Sequence, residues 1–270
     1  MRRLSLCSLV VGLLALGAPS WAAVAFAANG NSSVDANVNN CTPSTTTLGT
    51  VDATDIVILV AVGEHDRNAH ALTTANGFVQ IGSTVFGGDG DVTEEDPEIG
   101  ISVWWVRGSS WTAAPVVTDT GDHTTCALHR FTGAETSGDP WDVTASGNDS
   151  NANDTSANIP GATTTVADTL VVLIQGTSRN GTSTNCSAAT NADLGSITER
   201  FDNSSTSGLG GGHCIITGTK ASIGTYATST LTTATSTYKG AFSIALKPPQ
   251  GGPACTAGLN LPLLGVGGCP

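Results

Sequence analysis

Thr54–Val60 reads TDIVILV, and Ala167–Leu173 reads ADTLVVL. In each stretch a single acid precedes an uninterrupted run of valine, isoleucine and leucine. Short runs of this composition are typical of β-strands, and the lack of alternation indicates strands that are buried on both faces or lie centrally in a sandwich. The two stretches therefore predict two central strands, one in each half of the chain.

The surroundings of the two runs are also alike. The acids Asp55 and Asp168 are separated by 113 residues, and Phe86 and Phe201, which end the next apolar segments, by 115. Each half then closes on a further strand, TTCALHRF in the first and KGAFSIALKP in the second. We interpret the chain as two copies of one multi-strand unit. The alternative is that two unrelated sets of strands converged on similar sequences.

The composition favours β-structure throughout. Only 12% of the residues are charged, and runs rich in Thr and Val alternate with clusters of Gly, Asn, Ser and Asp. We predict an all-β protein with one antiparallel, jelly-roll-like β-sandwich over residues 44–248. Its related halves cover about 44–136 and 162–248, and a polar connection, 137–161, joins them.

The chain begins MRRLSLCSLVVGLLALGAPSWAAVAFAANG. Arg2 and Arg3, a following apolar stretch and a group of small residues have the order of a secretory signal. We predict residues 1–27 as a signal peptide with cleavage after Ala27, and cleavage after Ala22 is the alternative. The sequence thus predicts a secreted protein, extracellular or at the cell surface.

The rest of the chain predicts no membrane insertion. Residues 28–43 form a polar lead-in, and residues 249–270 form a tail rich in Gly, Pro and Cys. Beyond the signal the longest apolar run is Ile56–Val62, far short of the ~20 residues that span a bilayer. With 10 Lys and Arg against 22 Asp and Glu, the net charge is −12. Such a charge repels nucleic-acid phosphates and anionic lipids, so neither is expected as a partner.

Cysteine usage predicts disulfide bonds. Of the seven cysteines, Cys7 lies in the signal region, and an even number of six remains. No pair has the spacing of a zinc site. We expect Cys255 and Cys269 to pair, because they bound a short loop rich in Gly and Pro. The pairing of four others stays open: Cys41, Cys126, Cys186 and Cys214.

A series of motifs between Thr54 and Pro248 resembles a module of exported bacterial proteins and phage structural proteins. The motifs are TDIVILVAV, GFVQIGSTVF, ISVWWVRG, ALHRFTGAETSGDPWDVTAS, TTTVADTLVVLIQGT, ITERFDNSS and AFSIALKP. In such modules an aromatic-Arg-Gly turn precedes a Pro–aromatic–Asp segment and a Thr-rich strand. The resemblance implies a β-sandwich of the structural or surface-protein type. It carries over no functional residue.

The segment GGDGDVTEEDPEIG (Gly87–Gly100) is the most acidic of the chain. Carboxylates on a glycine-rich loop are the ligands that Ca²⁺ requires, although the spacing departs from that of an EF-hand. The alternative is a solvated hairpin loop, and no other cofactor is expected. The candidate calcium ligands are Asp89, Asp91, Glu94, Glu95 and Asp96.

The predicted strands lack the groups that catalysis needs. A glycosidase requires two carboxylates that face each other. The nearest approach is Glu199 and Asp202, which would lie on opposite sides of an ideal strand. Neither a GxSxG nor an HExxH motif occurs. We interpret the histidines as scattered polar surface residues: His65, His70, His123, His129 and His213. The protein is therefore predicted not to be an enzyme.

The tryptophans are the remaining candidates for a binding site. Trp105 and Trp111 are candidate platforms on which a sugar ring would stack. The alternative for Trp105 is that it caps the edge of the sandwich, and Trp141 is expected to plug an end of the core. We predict a non-enzymatic structural or surface-interaction protein of the adhesion type that contacts a polysaccharide or a protein surface, and the resemblance implies that it is phage-derived. The alternative is a carbohydrate-binding module with a sugar site built from loops and assisted by Ca²⁺.

Overall fold

The computed structural model describes residues 23–30, 33–34, 40–64, 70–88, 99–118, 123–178, 186–205 and 211–250. The predicted calcium loop and the predicted Cys255–Cys269 disulfide lie outside these residues, as does most of the predicted signal peptide.

The described residues confirm an all-β protein. A single 3-10 turn, Gly108–Ser110, interrupts the strands. In chain order these are β1 (Ala25–Asn29), β2 (Ser33–Val34), β3 (Asn40–Cys41), β4 (Ile56–Glu64), β5 (Ala71–Thr74), β6 (Val79–Gln80), β7 (Val85–Gly87), β8 (Ile99–Arg107), β9 (Val116–Thr118), β10 (His123–Thr132), β11 (Trp141–Ile159), β12 (Ala162–Thr164), β13 (Thr169–Thr177), β14 (Cys186–Thr190), β15 (Gly195–Ser204), β16 (Gly212–Lys220), β17 (Gly224–Tyr226) and β18 (Ser229–Leu246).

Two large antiparallel sheets pack against each other. Sheet 1 has the strand order β1-β10-β4-β8-β6, with β2 beside β10 and β7 beside β8. Sheet 2 has the order β11-β18-β13-β16-β15, with β14 beside β18. A three-stranded sheet, β3-β9-β5, and a two-stranded sheet, β12-β17, are separate from both.

Three apolar clusters explain why the two central strands lack polar residues. In the cluster between the sheets, Ile58 of β4 lies with Val172 of β13. Leu59 points the other way, into a cluster on the outer side of sheet 1 that includes Cys41 of β3. Likewise, Val171 belongs to a cluster on the outer side of sheet 2. Both strands are therefore buried on both faces, as their apolar runs predict.

Glycines allow the two large sheets to approach closely at one end. Gly176 of β13 is the register partner of Gly240 of β18. A Cβ on Gly240 would lie 2.5 Å from Cγ2 of Ile101, and one on Gly176 would lie 3.1 Å from Cδ1 of the same side chain. Ile101 of sheet 1 therefore packs directly against the backbone of β13 and β18. A side chain on Gly176 or Gly240 would occupy the space that Ile101 fills.

The segment predicted as a polar connection, 137–161, contains the longest strand of the described chain. β11 pairs with β18 along its length, with several register shifts. Near its end Ala157 and Ile159 are buried, whereas Asn158 between them is exposed. A strand with one face in solvent tolerates polar residues. The polar composition of residues 137–161 therefore does not indicate that the whole segment is a loop.

The structure bears on the choice between the two predicted cleavage sites, because residues 23–29 pack in the fold. Val24 is buried in the cluster between the sheets, and Phe26 of β1 packs edge-on against Phe131 with their rings 5.7 Å apart. Cleavage after Ala27 would cut through β1 and remove both side chains. Cleavage after Ala22, the alternative, leaves the strand whole.

We therefore expect that a chain from which the predicted signal peptide is cleaved begins at Ala23. Loss of Val24 and Phe26 would open the cluster between the sheets and free the edge of β10. N-terminal sequencing or the intact mass of the exported protein measures this directly. A chain that begins at Ala28 would contradict the expectation.

Two disulfide bonds pair the four cysteines that the sequence leaves open. Cys41 of β3 is bonded to Cys126 of β10, and Cys186 of β14 to Cys214 of β16. Such bonds are typical of an oxidising, extracellular-type environment. Within the described part of the chain, no helix has the length and apolar character needed to cross a membrane.

Candidate functional site

A surface pocket of about 500 Å³ lies on the outer side of sheet 1. It is formed by the segment that precedes β4 and the segment that follows the 3-10 turn. We call it the Trp111 pocket. The lining residues are Thr45, Leu48, Gly49, Val51, Trp111, Thr112, Ala113 and Ala114.

Local structure holds the Trp111 indole in place. Its backbone N–H donates to the carbonyl of Gly108 at 3.2 Å, which closes the 3-10 turn. The N–H of Gly108 donates in turn to the carbonyl of Asp55 at 2.8 Å and ties the turn to the start of β4. The ring packs edge-on against Phe78, with the ring centres 5.7 Å apart. The half-buried indole is thus oriented before any ligand arrives.

The pocket lining combines apolar, aromatic and hydroxyl-bearing side chains. Leu48 is buried and provides an apolar floor, and exposed Thr45 and Thr112 provide hydroxyl groups. None of the eight lining residues has a side chain that titrates near neutral pH. An aromatic face with an apolar floor and hydroxyl groups suits a sugar ring.

One cation borders the pocket. A Cβ built on Gly49 would lie 3.8 Å from Nη2 of Arg130, which places the guanidinium beside the lining. Nη1 of Arg130 contacts Oδ2 of Asp55 at 3.5 Å, and its buried Nε has no hydrogen-bond partner within the described residues. Asp55 is the acid that precedes the first apolar run of the sequence. The guanidinium thus lies near the pocket, although Arg130 is not one of its lining residues and its unpartnered Nε is buried.

Trp105, the other predicted platform, lies elsewhere. It is half-buried against the cluster between the two large sheets, whereas Trp111 packs on the opposite face of sheet 1. The ring of Trp105 packs edge-on against that of Trp141 at 5.1 Å, and the Arg107 guanidinium lies 5.7 Å from its centre. The two predicted tryptophans therefore do not share one site. The contacts of Trp105 resemble those of the edge cap considered as its alternative.

The interpretation of the histidines as surface residues is wrong for three of them. His70, His129 and His213 are buried. His70 Nδ1 is 3.0 Å from Oγ of Ser102, which also contacts the Thr84 hydroxyl at 2.7 Å. A serine beside a histidine is a nucleophile–base arrangement in some enzymes, and in the described part of this chain Ser102 is fully buried.

His129 and His213 form a second buried arrangement, between the two large sheets. Their Nε2 atoms are 3.1 Å apart, and the Phe201 ring lies 4.9 Å from each imidazole. The sequence contains a weak signal of this burial, because His213 stands in the apolar stretch GHCIITG.

The carboxylates of β15 also deviate from the expected geometry. The register of β15 against β16 shifts between Glu199 and Phe201, which breaks the alternation of an ideal strand. Burial, and then the charge of Asp202, raise the pKa of Glu199, so the two carboxylates interact. They lie on an edge strand of sheet 2, and the Trp111 pocket lies on sheet 1.

Among the described residues, no group of three or more His, Cys, Asp or Glu side chains has an arrangement that could hold a metal ion. The predicted calcium ligands are outside that part of the chain. Comparisons with known protein families, with curated proteins and with solved structures find no match for this chain.

Proposed function

We propose that this chain is an exported surface-interaction protein that binds its ligand in the Trp111 pocket and does not turn it over. The observation that carries the proposal is an oriented, half-buried indole in an open pocket whose lining has no acid, base or thiol. Binding sites commonly combine an aromatic face with a few polar groups, whereas catalysis needs positioned titratable groups.

The proposed ligand is a sugar ring of a polysaccharide. The ring would stack on Trp111 above Leu48, and its hydroxyls would meet the hydroxyl groups of Thr45 and Thr112. Adhesion to a polysaccharide surface and a carbohydrate-binding module are then two descriptions of the same contact. Assistance by Ca²⁺ is a further part of the proposal, and the acidic segment near Asp89 would supply it.

We also propose that the two large sheets are related halves of one jelly-roll-like sandwich. Read across each sheet, the five strands of the main path follow the same order of appearance in the chain, namely first, fifth, second, fourth, third, and β2, β7 and β14 lie off these paths. This holds for β1-β10-β4-β8-β6 and for β11-β18-β13-β16-β15. The agreement supports a duplicated unit, and it accords with the resemblance to structural modules of bacterial and phage origin.

The test is binding of the exported protein to insoluble polysaccharides and a glycan array, with and without calcium. We expect Trp111→Ala to weaken binding about tenfold or more, because a central aromatic side chain carries a large share of such a contact. Ile223→Ala is the matched control, because Ile223 is an exposed apolar residue outside the pocket lining. Its binding should equal that of the unchanged protein.

Three results would overturn the proposal. Failure of the exported protein to bind any polysaccharide would remove the ligand class. Unchanged binding by Trp111→Ala, with a retained circular dichroism spectrum, would exclude the pocket. Release of reducing sugar that Glu199→Gln abolishes would show that the protein is a hydrolase.

A further inference from the structure

The buried histidines connect the two large sheets. His129 lies on β10 of sheet 1, and His213 lies on β16 of sheet 2. Both imidazoles are fully buried, and their Nε2 atoms are 3.1 Å apart. We call them the histidine pair. One ring must donate the proton of this contact, and the other must accept it.

A neighbouring amide fixes which ring donates. Nδ2 of Asn29 on β1 donates to the carbonyl of Arg200 on β15 at 2.6 Å, so its Oδ1 faces Nδ1 of His129 at 2.7 Å. Nδ1 of His129 therefore bears the hydrogen, and its Nε2 accepts from Nε2–H of His213. The chain of hydrogen bonds joins β1, β10, β15 and β16, and it requires both imidazoles to be neutral.

A proton added to either ring disrupts this chain. On His129 it would set two N–H donors against each other. On His213 it would go to Nδ1, a buried atom that has no hydrogen-bond partner among the described residues. Burial lowers the pKa of His213 to about 3. Burial and then the charge of His213 hold the pKa of His129 well below its usual range.

No described carboxylate compensates for such a charge. Within the described residues, the side-chain hydrogen bonds of the histidine pair join its own two members and Asn29. Oδ2 of Asp202 accepts from the N–H of Cys186, on the outer side of sheet 2. The charged side chains described near the pair on the strands that pack against it are Arg130 on β10 and Glu199, Arg200 and Asp202 on β15.

We propose that the histidine pair is an acid-sensitive contact between the two large sheets. The contact holds β1 and β15 together at neutral pH and releases them in acidic surroundings. Among the described strands, β1 is an edge strand of five residues whose pairing partner is β10. Its contacts to sheet 2 include the Asn29 amide and the Phe26 ring beneath the Arg200 guanidinium. Release would expose Phe26 and the edge of β10. This inference does not depend on the Trp111 pocket.

The sign of the pH effect follows from the lowered pKa values. An exposed histidine titrates near pH 6.5. The open state, in which β1 and β15 have separated, therefore takes up protons below this pH, whereas the closed state, in which the histidine pair is intact, does not. The contact therefore contributes its full stability above about pH 6.5, and this contribution decreases as the pH falls below that value. Each released histidine shifts the equilibrium toward opening by about tenfold per pH unit.

Hydrogen exchange at pH 7.5 and pH 5.5, corrected for the intrinsic rates, tests the proposal. We expect protection of the β1 and β15 amides to fall about tenfold or more, while β4 and β13 keep theirs. In a variant with both His129→Gln and His213→Gln the amides can still bond, and the fall should disappear. Unchanged protection of β1 and β15, or an equal fall in the variant, would overturn the proposal.

A second measurement needs no variant. ¹⁵N NMR of the unchanged protein should show His129 protonated at Nδ1 and His213 at Nε2. Neither ring of the folded protein should titrate with a midpoint near 6.5. A midpoint there, or the opposite tautomers, would overturn the proposal even where the variant does not fold.

Discussion

Replacing Cys41 and Cys126 together by alanine is expected to lower the free energy of unfolding by about 4–5 kcal/mol. The bond closes a loop over 85 residues, which includes all of β4 to β9, and long loops lose the most entropy when the unfolded chain is cross-linked. It also anchors β3, and with it the outer three-stranded sheet, to sheet 1. Urea unfolding of the two proteins measures the difference.

The other disulfide supplies a graded comparison. Cys186 and Cys214 are 28 residues apart, so their joint replacement by alanine should cost about 3–4 kcal/mol in the same chain-entropy account. All four side chains are buried, so the loss of packing is similar for both pairs. A change below about 1 kcal/mol for the Cys41–Cys126 pair would show that the bond does not constrain the unfolded chain.

Ile58→Ala and Leu59→Ala are expected to destabilise the protein to a similar extent, each by about 2–5 kcal/mol. The two residues are neighbours on β4 and point to opposite faces, one toward sheet 2 and the other toward the outer layer. Each substitution would leave a cavity in a different apolar cluster. In a two-layer sandwich one of the two would face solvent, and its replacement would cost little.

Thermal or urea unfolding of both variants measures these costs. Val79→Ala is the control, because Val79 on β6 is 60% exposed and its truncation should change stability by less than about 0.5 kcal/mol. A large effect at Ile58 with a small one at Leu59 would contradict burial of β4 on both faces.

The two central strands could be predicted because their burial is visible in the local sequence. A strand covered on both sides cannot place a polar residue at either alternate position, and Ile56–Val62 and Leu170–Ile174 contain none. β11 could not be recognised in this way. Its hydrogen-bond partner, β18, is distant in sequence, and polar residues with one solvent face are equally suited to a loop.

The candidate site could be predicted only in part. Trp111 was recognisable as a rare aromatic residue after a turn, but Leu48 and Thr45 meet it from a segment more than 60 residues away. The histidine pair was missed, because nothing near His129 in the sequence indicates that His213 will face it across two sheets.

Side-chain character alone indicated the high strand content, the strands buried on both faces and the oxidised state of the four described cysteines. These properties depend on which residues can leave water, and that is set residue by residue. Which segments meet was decided by the packing of the whole chain. The disulfide bonds of Cys41 and Cys186 join residues that are far apart in sequence. The same is true of the packing of β1 in the core and of the contact between the two histidines. Such contacts form only when the complete arrangement has a lower free energy than its competitors, so no local pattern encodes them.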